Sequence, residues 1–330
     1  MKIPPIYTIT SEMIDLIAKI NANLIYLSSL ELPELIKEKI QRISILKSSL
    51  FSARIEGNPL TIDDFEKESN ENEKKIEIYN LKKAAEFINK KIKTQSRISK
   101  KMILDLHSIV MNDLNSDQGR FRTEVSAIFN VAGVAVYMTP PPNQVQILLN
   151  RMFNYANSDT ERFPLINAFI THLIFEKIHP FIDGNGRVGR LLVSSILKSK
   201  DKNNNFHVSF EEYLDEHKED YYYHLDNGLS KTNDYLLFML DAFYNQTERL
   251  KDLVEKEKQN KEALLLPPRQ EEIYNIIKDH NIVSFDQIKR RFLKVPERTL
   301  RYDLKKLIEK GVIVKIGETR GSYYKISNRF

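Results

Sequence analysis

The chain has 330 residues, 42% of them hydrophobic and 29% charged, a composition typical of globular proteins large enough for two or three domains. No run of about 18 uninterrupted apolar residues occurs, so we expect no membrane span. The N-terminus also lacks an apolar export segment with a small-residue cleavage site. Because the chain contains no cysteine, disulfides, thiolate metal sites and a cysteine nucleophile are excluded, but the redox compartment stays undecided. A cytoplasmic location is the default expectation.

The net charge of +5 is unevenly distributed along the chain. Residues 266–330 contain 15 Lys and Arg against 8 Asp and Glu, whereas the residues before them are slightly acidic. A basic C-terminal region predicts an acidic partner for that region, with nucleic acid as the first candidate.

The first 265 residues are predicted to be mainly helical, because apolar residues recur at steps of three and four. Thr10 or Ser11 is expected to cap the first helix, and Gly57-Asn58-Pro59 should end the second. Residues 66–76 are polar and predict a connection rather than a helix. Helices are predicted at 11–30, 33–55, 77–93, 99–114, 144–156, 164–177, 187–200, 210–227 and 233–262.

A different pattern occupies residues 119–143, where VAGVAVYMTPPPN is rich in β-branched residues and ends in three prolines. We expect a short β-hairpin flap there, centred on residues 133–140.

Residues 266–330 have the pattern of a compact module. Helices predicted at 270–279, 285–292 and 298–311 are followed by two β-prone runs, VIVKI and SYYKI. This order is typical of a winged helix-turn-helix. The predicted domains are 1–95, an N-terminal helical region; 96–265, a catalytic core with its following helices; and 266–330, the winged helix.

The stretch IHPFIDGNGRVGRLL, residues 178–192, has the composition of a phosphate site. Gly184, Asn185 and Gly186 form a loop that enters a helix, where free N–H groups and the helix dipole favour an anion. Arg187 and Arg190 are spaced i and i+3, so both guanidinium groups can face the same phosphate.

Two further side chains complete this stretch. Asp183 offers a hard oxygen ligand for Mg²⁺, which usually binds through one or two carboxylates and the substrate phosphates. His179 precedes the loop and is a candidate general base at neutral pH. Sequence patterns of Walker loops, zinc proteases and α/β-hydrolases do not occur.

Residues 179–190 resemble the signature of the Fic family, H-x-F-x-[DE]-G-N-G-R-x-x-R, with every defined position filled. The segments 119–122 and 137–142 also agree with family patterns, and the resemblance covers roughly residues 45–245. It implies a mainly α fold: a Fic-type helical bundle with a short β-hairpin flap, to which a small winged-helix domain is added.

The resemblance implies a protein adenylyltransferase that uses ATP and Mg²⁺ to transfer AMP to a Ser, Thr or Tyr hydroxyl. His179 would be the catalytic base and Asp183 the Mg²⁺ ligand. The ATP phosphates would be bound by the remaining residues of the motif: Gly184, Asn185, Gly186, Arg187 and Arg190.

A second resemblance concerns regulation. Ser52-Ala-Arg-Ile-Glu56-Gly57 fits the inhibitory motif [ST]-x-x-x-E-[GN], which many Fic proteins carry before the catalytic core. Ser52 and Glu56 share a helix face, and the helix dipole disfavours an acid in the last turn. A buried partner such as Arg190 would offset that placement.

Other site residues are expected from position and residue type. Val136, Tyr137 and Met138 in the flap would dock the target segment by strand addition, and Tyr222 and Tyr223 are candidates for an adenine pocket. The remaining histidines, His107 among them, are interpreted as structural.

Several alternatives remain open from the sequence. The enzyme could modify itself, or remove AMP with Glu56 positioning a water. The chain could instead be a DNA-binding transcriptional regulator with a nucleotide-sensing Fic core. The basic module could bind DNA through Arg298, Arg301 and Lys305 or dock a protein. The oligomeric state, including a homodimer, is also left open.

Overall fold

The computed structural model describes residues 1–67, 72–114, 117–129, 135–200, 206–259, 266–317 and 322–327. The chain forms two compact units. The first consists of Met1–Glu31 and Ile40–Asp252, and the second of Leu32–Lys39 and Leu253–Phe330. Among the described helices, none is both long enough and apolar enough to cross a membrane.

Helices dominate the first part of the chain, as the apolar spacing predicts. Thr10 caps the first helix through its side chain, and Ser99 caps the fifth in the same way. The helices are α1 (Ser11–Ser29), α2 (Glu34–Ile55), α3 (Ile62–Lys67), α4 (Glu73–Lys91), α5 (Lys100–Val110), α6 (Pro142–Ala156), α7 (Pro164–Ile178), α8 (Asn185–Lys200), α9 (Glu211–Glu216), α10 (Lys218–Asn227) and α11 (Thr232–Gln259).

The centre of the first unit is α7, in which every residue from Leu165 to Ile178 is buried. A helix that is buried on all sides is surrounded by other elements. Helix α8 packs along it and buries Val188, Leu192 and Ile196. The signature loop is the connection between these two helices, so the candidate site is built on a rigid base.

Helix α2 ends in a Schellman motif. Gly57 has φ of +102°, its N–H donates to Arg54 O, and Asn58 N–H donates to Ala53 O. Because Gly57 tolerates the left-handed conformation, the helix stops there and leaves Glu56 at its C-cap.

Three local predictions were wrong in their boundaries. The polar segment 66–76 is not one connection, because α3 extends into it as far as Lys67 and α4 already begins at Glu73 under an Asn72 cap. The third proline of the flap region does not exclude helix, because Pro142 is the first residue of α6, a position that needs no N–H donor. The single helix expected at 210–227 is divided at His217.

The predicted flap contains the antiparallel strands β1 (Ala127–Phe129) and β2 (Ala135–Met138). Ile128 pairs with Tyr137, and the register shifts between Ile128 and Phe129. Residues 130–134, which include Gly133, lie outside the described residues.

The second unit contains a winged helix-turn-helix. Its elements are α12 (Pro268–His280), β3 (Ile282–Ser284), α13 (Phe285–Arg291), α14 (Glu297–Glu309), β4 (Ile313–Ile316) and β5 (Tyr323–Ile326). Ser284 and Gln287 form a capping box at the start of α13. Strand β3 was not predicted, and it extends the expected two-stranded wing to a sheet in the order β3-β5-β4.

Candidate active site

His179 is the C-cap of α7 and adopts the left-handed conformation, with φ of 50° and ψ of 61°. Its Nδ1 lies 3.3 Å from the carbonyl oxygen of Glu176 and therefore carries the proton in that hydrogen bond. Nε2 is then the unprotonated nitrogen. Burial lowers the pKa of His179 below its usual value. The imidazole is therefore neutral near pH 7 and can accept a proton.

The loop after His179 is closed by Asn185. Its side-chain oxygen accepts from Phe181 N–H and its amide donates to Phe181 O, both at 2.9 Å. Gly184, with φ of +80°, brings the backbone so close to α5 that a Cβ would lie 2.8 Å from Met111 Sδ. The Asn185 side chain thus holds the loop, and what the loop offers to an anion is the row of N–H groups that begins α8.

Phe181 is buried beneath this loop, and His107 lies against it. The two rings stack at 3.7 Å between centroids. His107 Nε2 lies 3.0 Å from Asp183 O, and its Nδ1 accepts from Gly119 N–H at 2.8 Å. His107 therefore has the supporting position that its interpretation as structural implies.

Arg187 is fixed by two acids. It donates to Glu77 Oε1 at 2.7 Å and to Asp183 Oδ1 at 2.8 Å. Asp183 also accepts from Gly184 N–H, and its side chain remains about half exposed. Glu77 lies on α4, far away in sequence, and no sequence signal indicated it.

Arg190 is buried and contacts the C-terminal part of α2. Its Nε donates to Ser52 Oγ at 2.9 Å, and NH2 donates to Ser52 O at 2.9 Å and to Glu56 Oε1 at 2.8 Å. A Cβ on Gly186 would overlap the same Glu56 oxygen. The Glu56 carboxylate consequently lies over the first turn of α8, at the site that suits an anion.

A cavity of about 430 Å³ extends from this point. Tyr222 lies in its wall and donates from its hydroxyl to Ile55 O at 3.1 Å, and Tyr221 lines it as well. Tyr223 does not line this cavity. Its side chain is about half exposed and its hydroxyl accepts from Lys231. The lining residues are Ile55, Glu56, Gly57, Ile128, Glu176, His179, Gly186, Arg190, Lys218, Tyr221, Tyr222, Leu225 and Asp226.

The hairpin borders the cavity through Ile128 of β1. Of the three flap residues expected to dock a target, Met138 is largely exposed, whereas Tyr137 lies under Lys177, with Nζ 4.5 Å from the ring centroid. Val136 lies between them in β2.

The cavity is also lined by Glu176, which forms a buried pair of titratable groups with His172. His172 and Glu176 face each other at 3.8 Å, and Glu176 Oε1 has no hydrogen-bond partner among the described residues. Burial raises the pKa of Glu176 to about 8 and lowers that of His172 to about 3. Both groups are therefore neutral at pH 7. A Cβ on Gly189 would overlap Glu176 Oε1.

Within the described residues, no group of three or more His, Cys, Asp or Glu side chains could hold a metal ion by itself. Asp183 is a single, accessible carboxylate beside the N-terminus of α8. This donor set fits Mg²⁺, which takes one or two protein carboxylates and completes its shell with phosphates and water.

In the second unit, the predicted DNA-binding cations lie on α14. Arg298 is exposed, and Arg301 lies over the Phe285 ring at 3.9 Å, with Glu297 3.8 Å away. Lys305 is 3.8 Å from Glu309. These cations remain accessible. The tip of the wing, residues 318–321, lies outside the described residues.

Two parts of the chain match families of known proteins. Residues 97–197 match the Fic/DOC family. The chain contains a Fic domain. Residues 269–320 match a DeoR-like helix-turn-helix domain, so the Fic domain is combined with a helix-turn-helix module in one chain.

Individual proteins show the same relationship. A "Probable protein adenylyltransferase" of Aquifex aeolicus is 29% identical over 46% of this chain and 47% of its own length. The "Protein adenylyltransferase Fic" of Drosophila virilis is 32% identical over 37% of this chain and 24% of its own length. The chain therefore aligns with about half or less of these relatives. A Fic family protein of Desulfovibrio desulfuricans has the same fold, with a TM-score of 0.69, 22% identity and 99% coverage of both chains.

Proposed function

We propose that the chain is a protein adenylyltransferase that transfers AMP from ATP to a Ser, Thr or Tyr hydroxyl of a target protein. The observation that carries the proposal is the placement of His179. A partly buried, neutral imidazole with a free Nε2 lines the same cavity as Arg190 and the N-terminus of α8. A base and an anion site next to each other suit transfer of a phosphate-linked group to a hydroxyl. The adenylyltransferase relatives favour AMP as the group transferred.

In the proposed reaction, His179 Nε2 accepts the proton of the target hydroxyl. The hydroxyl oxygen forms a bond with the α-phosphorus of ATP, and the bond to the bridging oxygen breaks as pyrophosphate leaves with the electron pair. Arg187, Arg190 and the N–H groups of α8 bind the phosphates, and Tyr221 and Tyr222 border the space for the adenine. Asp183 would hold Mg²⁺, which neutralises phosphate charge when it is bound.

Glu56 supplies a restraint on this reaction. Its carboxylate contacts Arg190 and lies over Gly186. A phosphate of ATP needs the same cation and the same N–H groups, so the two anions compete. We therefore propose that the chain is autoinhibited, through Glu56 held by α2, with Ser52 and Gly57 fixing the helix end.

The test is incubation with target lysate and ATP labelled in the α-phosphate, comparing wild type, His179→Ala and the surface control His280→Ala. We expect no transfer by His179→Ala, near-normal ATP binding by the same variant, and full activity of the control. Mass spectrometry should find the added mass of AMP on the target or on the chain itself. Transfer by His179→Ala at the wild-type rate, or an added mass of phosphate alone, would contradict the proposal.

The same site could also remove AMP, with Glu56 orienting a water. Modified target incubated with wild type and with Glu56→Gln distinguishes this reaction. Release of AMP by wild type alone supports removal, and release by neither restricts the enzyme to transfer.

A second function is favoured by the helix-turn-helix match and by the accessible cations of α14. We propose that the second unit binds duplex DNA, with α14 in the major groove. A regulator whose Fic core only senses nucleotide would bind DNA and ATP but label no protein. Binding of a protein instead of DNA is the other outcome that such a module allows.

A further inference from the structure

Arg122 precedes the hairpin in sequence, and its side chain contacts the C-terminal end of α7 at His179. Its Nε donates to His179 O at 2.7 Å, and its NH2 group is 3.4 Å from Ile178 O. Its backbone N–H donates to Pro180 O at 2.9 Å. One buried residue thus binds three consecutive carbonyl groups around the candidate base.

These contacts answer a specific structural need. The last carbonyls of a helix have no partner within the helix, and an arginine there also opposes the negative end of the helix dipole. His179 in addition holds a left-handed conformation, which is strained for a residue other than glycine. Such a conformation persists only where its surroundings enforce it.

The other edge of the same guanidinium group binds the base of the hairpin. NH1 donates to Glu124 O at 2.7 Å, and NH2 donates to Pro140 O. Nearby, Thr139 closes the hairpin with its N–H and its hydroxyl on Ser126 O. Because guanidinium is planar and rigid, its two edges cannot move independently.

We infer that Arg122 is a positioning residue for the transfer proposed above. Its side chain fixes His179 and the neighbouring hairpin relative to each other. The inference rests on the proposed function. If the hairpin holds the target segment, the hydroxyl and Nε2 are aligned through a single side chain. Misplacement by about 1 Å in such an arrangement can cost a factor of about 100 in rate.

The test uses the full chain with Glu56→Gly, so that restraint does not limit the rate. Arg122→Ala and Arg122→Lys are compared with Arg120→Ala, a control that removes an exposed arginine of the same segment. We expect kcat to fall at least about tenfold in both Arg122 variants, because Lys keeps the charge but not the planar fork. The Kd for ATP should stay within about twofold, and Arg120→Ala should behave as Glu56→Gly alone.

Guanidinium chloride at millimolar concentration provides a second readout. It should partly restore kcat in Arg122→Ala, because the ion can occupy the vacated space, and it should not restore His179→Ala. General loss of structure would lower ATP binding and kcat together and would not respond to the ion.

Unchanged kcat in Arg122→Ala overturns the inference. If that variant does not fold, Arg122→Lys decides, and an unimpaired kcat in it overturns the inference as well. If Glu56→Gly transfers no AMP at all, the proposed function itself is wrong, and the inference falls with it. An active Glu56→Gly with unaffected Arg122 variants refutes only the positioning role.

Discussion

Helices α8 and α14 each carry closely spaced basic residues, and the two helices differ in what surrounds these residues. On α8, the side chains of Arg187 and Arg190 are 7% and 1% exposed and lie 2.7–2.8 Å from acids of other elements. On α14, those of Arg301 and Lys305 are 61% and 74% exposed, and their acids lie 3.8 Å away on the same helix. A ligand phosphate must displace a carboxylate at the first helix. At the second, it replaces weak, solvent-screened pairs at little cost.

The largest difference should appear when the same substitution is made in both helices. Arg190→Met leaves the acceptors of Ser52 and Glu56 without their donor, and we expect it to lower the free energy of unfolding by about 3 kcal/mol. Arg298→Met removes an exposed cation and should change that energy by less than about 0.5 kcal/mol. Chemical denaturation of the two full-length variants measures both, and equal losses would contradict the comparison.

The next largest effect concerns the salt dependence of DNA binding by α14. If α14 makes about three phosphate contacts, the affinity of the full chain for random duplex DNA should fall about 40-fold between about 50 and 200 mM salt. Fluorescence anisotropy with wild type and Arg301→Glu measures it. Binding that survives Arg301→Glu would exclude the proposed face, and no binding at tens of micromolar protein would favour a protein-docking role.

Removal of the acid that competes with phosphate should activate the first unit. Glu56→Gly frees Arg190 and the first turn of α8, and we expect transfer of labelled AMP to rise about tenfold, equivalent to about 1.4 kcal/mol. Glu31→Gly, which removes an exposed acid outside any helix, serves as control. Equal labelling by wild type and Glu56→Gly at saturating ATP would refute autoinhibition.

The smallest effect concerns pH. Between pH 4.5 and 8 the folded protein holds a proton on Glu176 that the unfolded chain releases, so stability falls as pH rises through this range. His172 acts in the opposite direction up to about pH 6.5, because its folded pKa is about 3. Above pH 6.5, Glu176 alone of the two groups changes the stability, which declines as the pH rises.

The free energy of unfolding of Glu176→Gln should therefore fall by about 1.5 kcal/mol less than that of wild type between pH 6.5 and 8. Denaturation at several pH values measures the difference. Glu211, with a pKa raised by burial to about 7, is present in both proteins and cancels. If the free energies of unfolding of wild type and Glu176→Gln changed in parallel with pH, Glu176 would be ionised in the folded state.

The sequence predicted those parts of the site that are contiguous in the chain. Residues 179–190 hold His179, Asp183, the glycine loop and the two arginines within twelve residues, which predicts a helix N-terminus next to His179. In the structure His179 caps α7 and α8 begins at Asn185. The role of His179 as the base stays a prediction. Ser52 and Glu56 were indicated by their resemblance to the inhibitory motif of Fic proteins. Their i, i+4 spacing, and the cost of an acid at a helix end without a partner, agree with that resemblance.

Contacts between distant segments could not be predicted in this way. Nothing in the sequence indicated Glu77. Arg122 belongs to the segment 119–122, which agrees with a family pattern, but the sequence did not indicate its contacts with α7 and the hairpin. Which of Tyr221, Tyr222 and Tyr223 line the cavity depends on the rotation of α10 about its axis. The break at His217 sets the residue at which α10 begins. Strand β3 has only three residues, too few for an alternating pattern to indicate it.

Gly189 allows α8 to approach Glu176 closely, since any Cβ there would overlap the carboxyl oxygen. The residue that position 189 can hold therefore depends on the residue at position 176. A lineage that acquires a side chain at 189 must shorten the residue at 176, and one that keeps the acid must keep the glycine. We therefore expect positions 176 and 189 to covary among proteins of this architecture, and Gly189→Ala to be tolerated better in Glu176→Ala than alone.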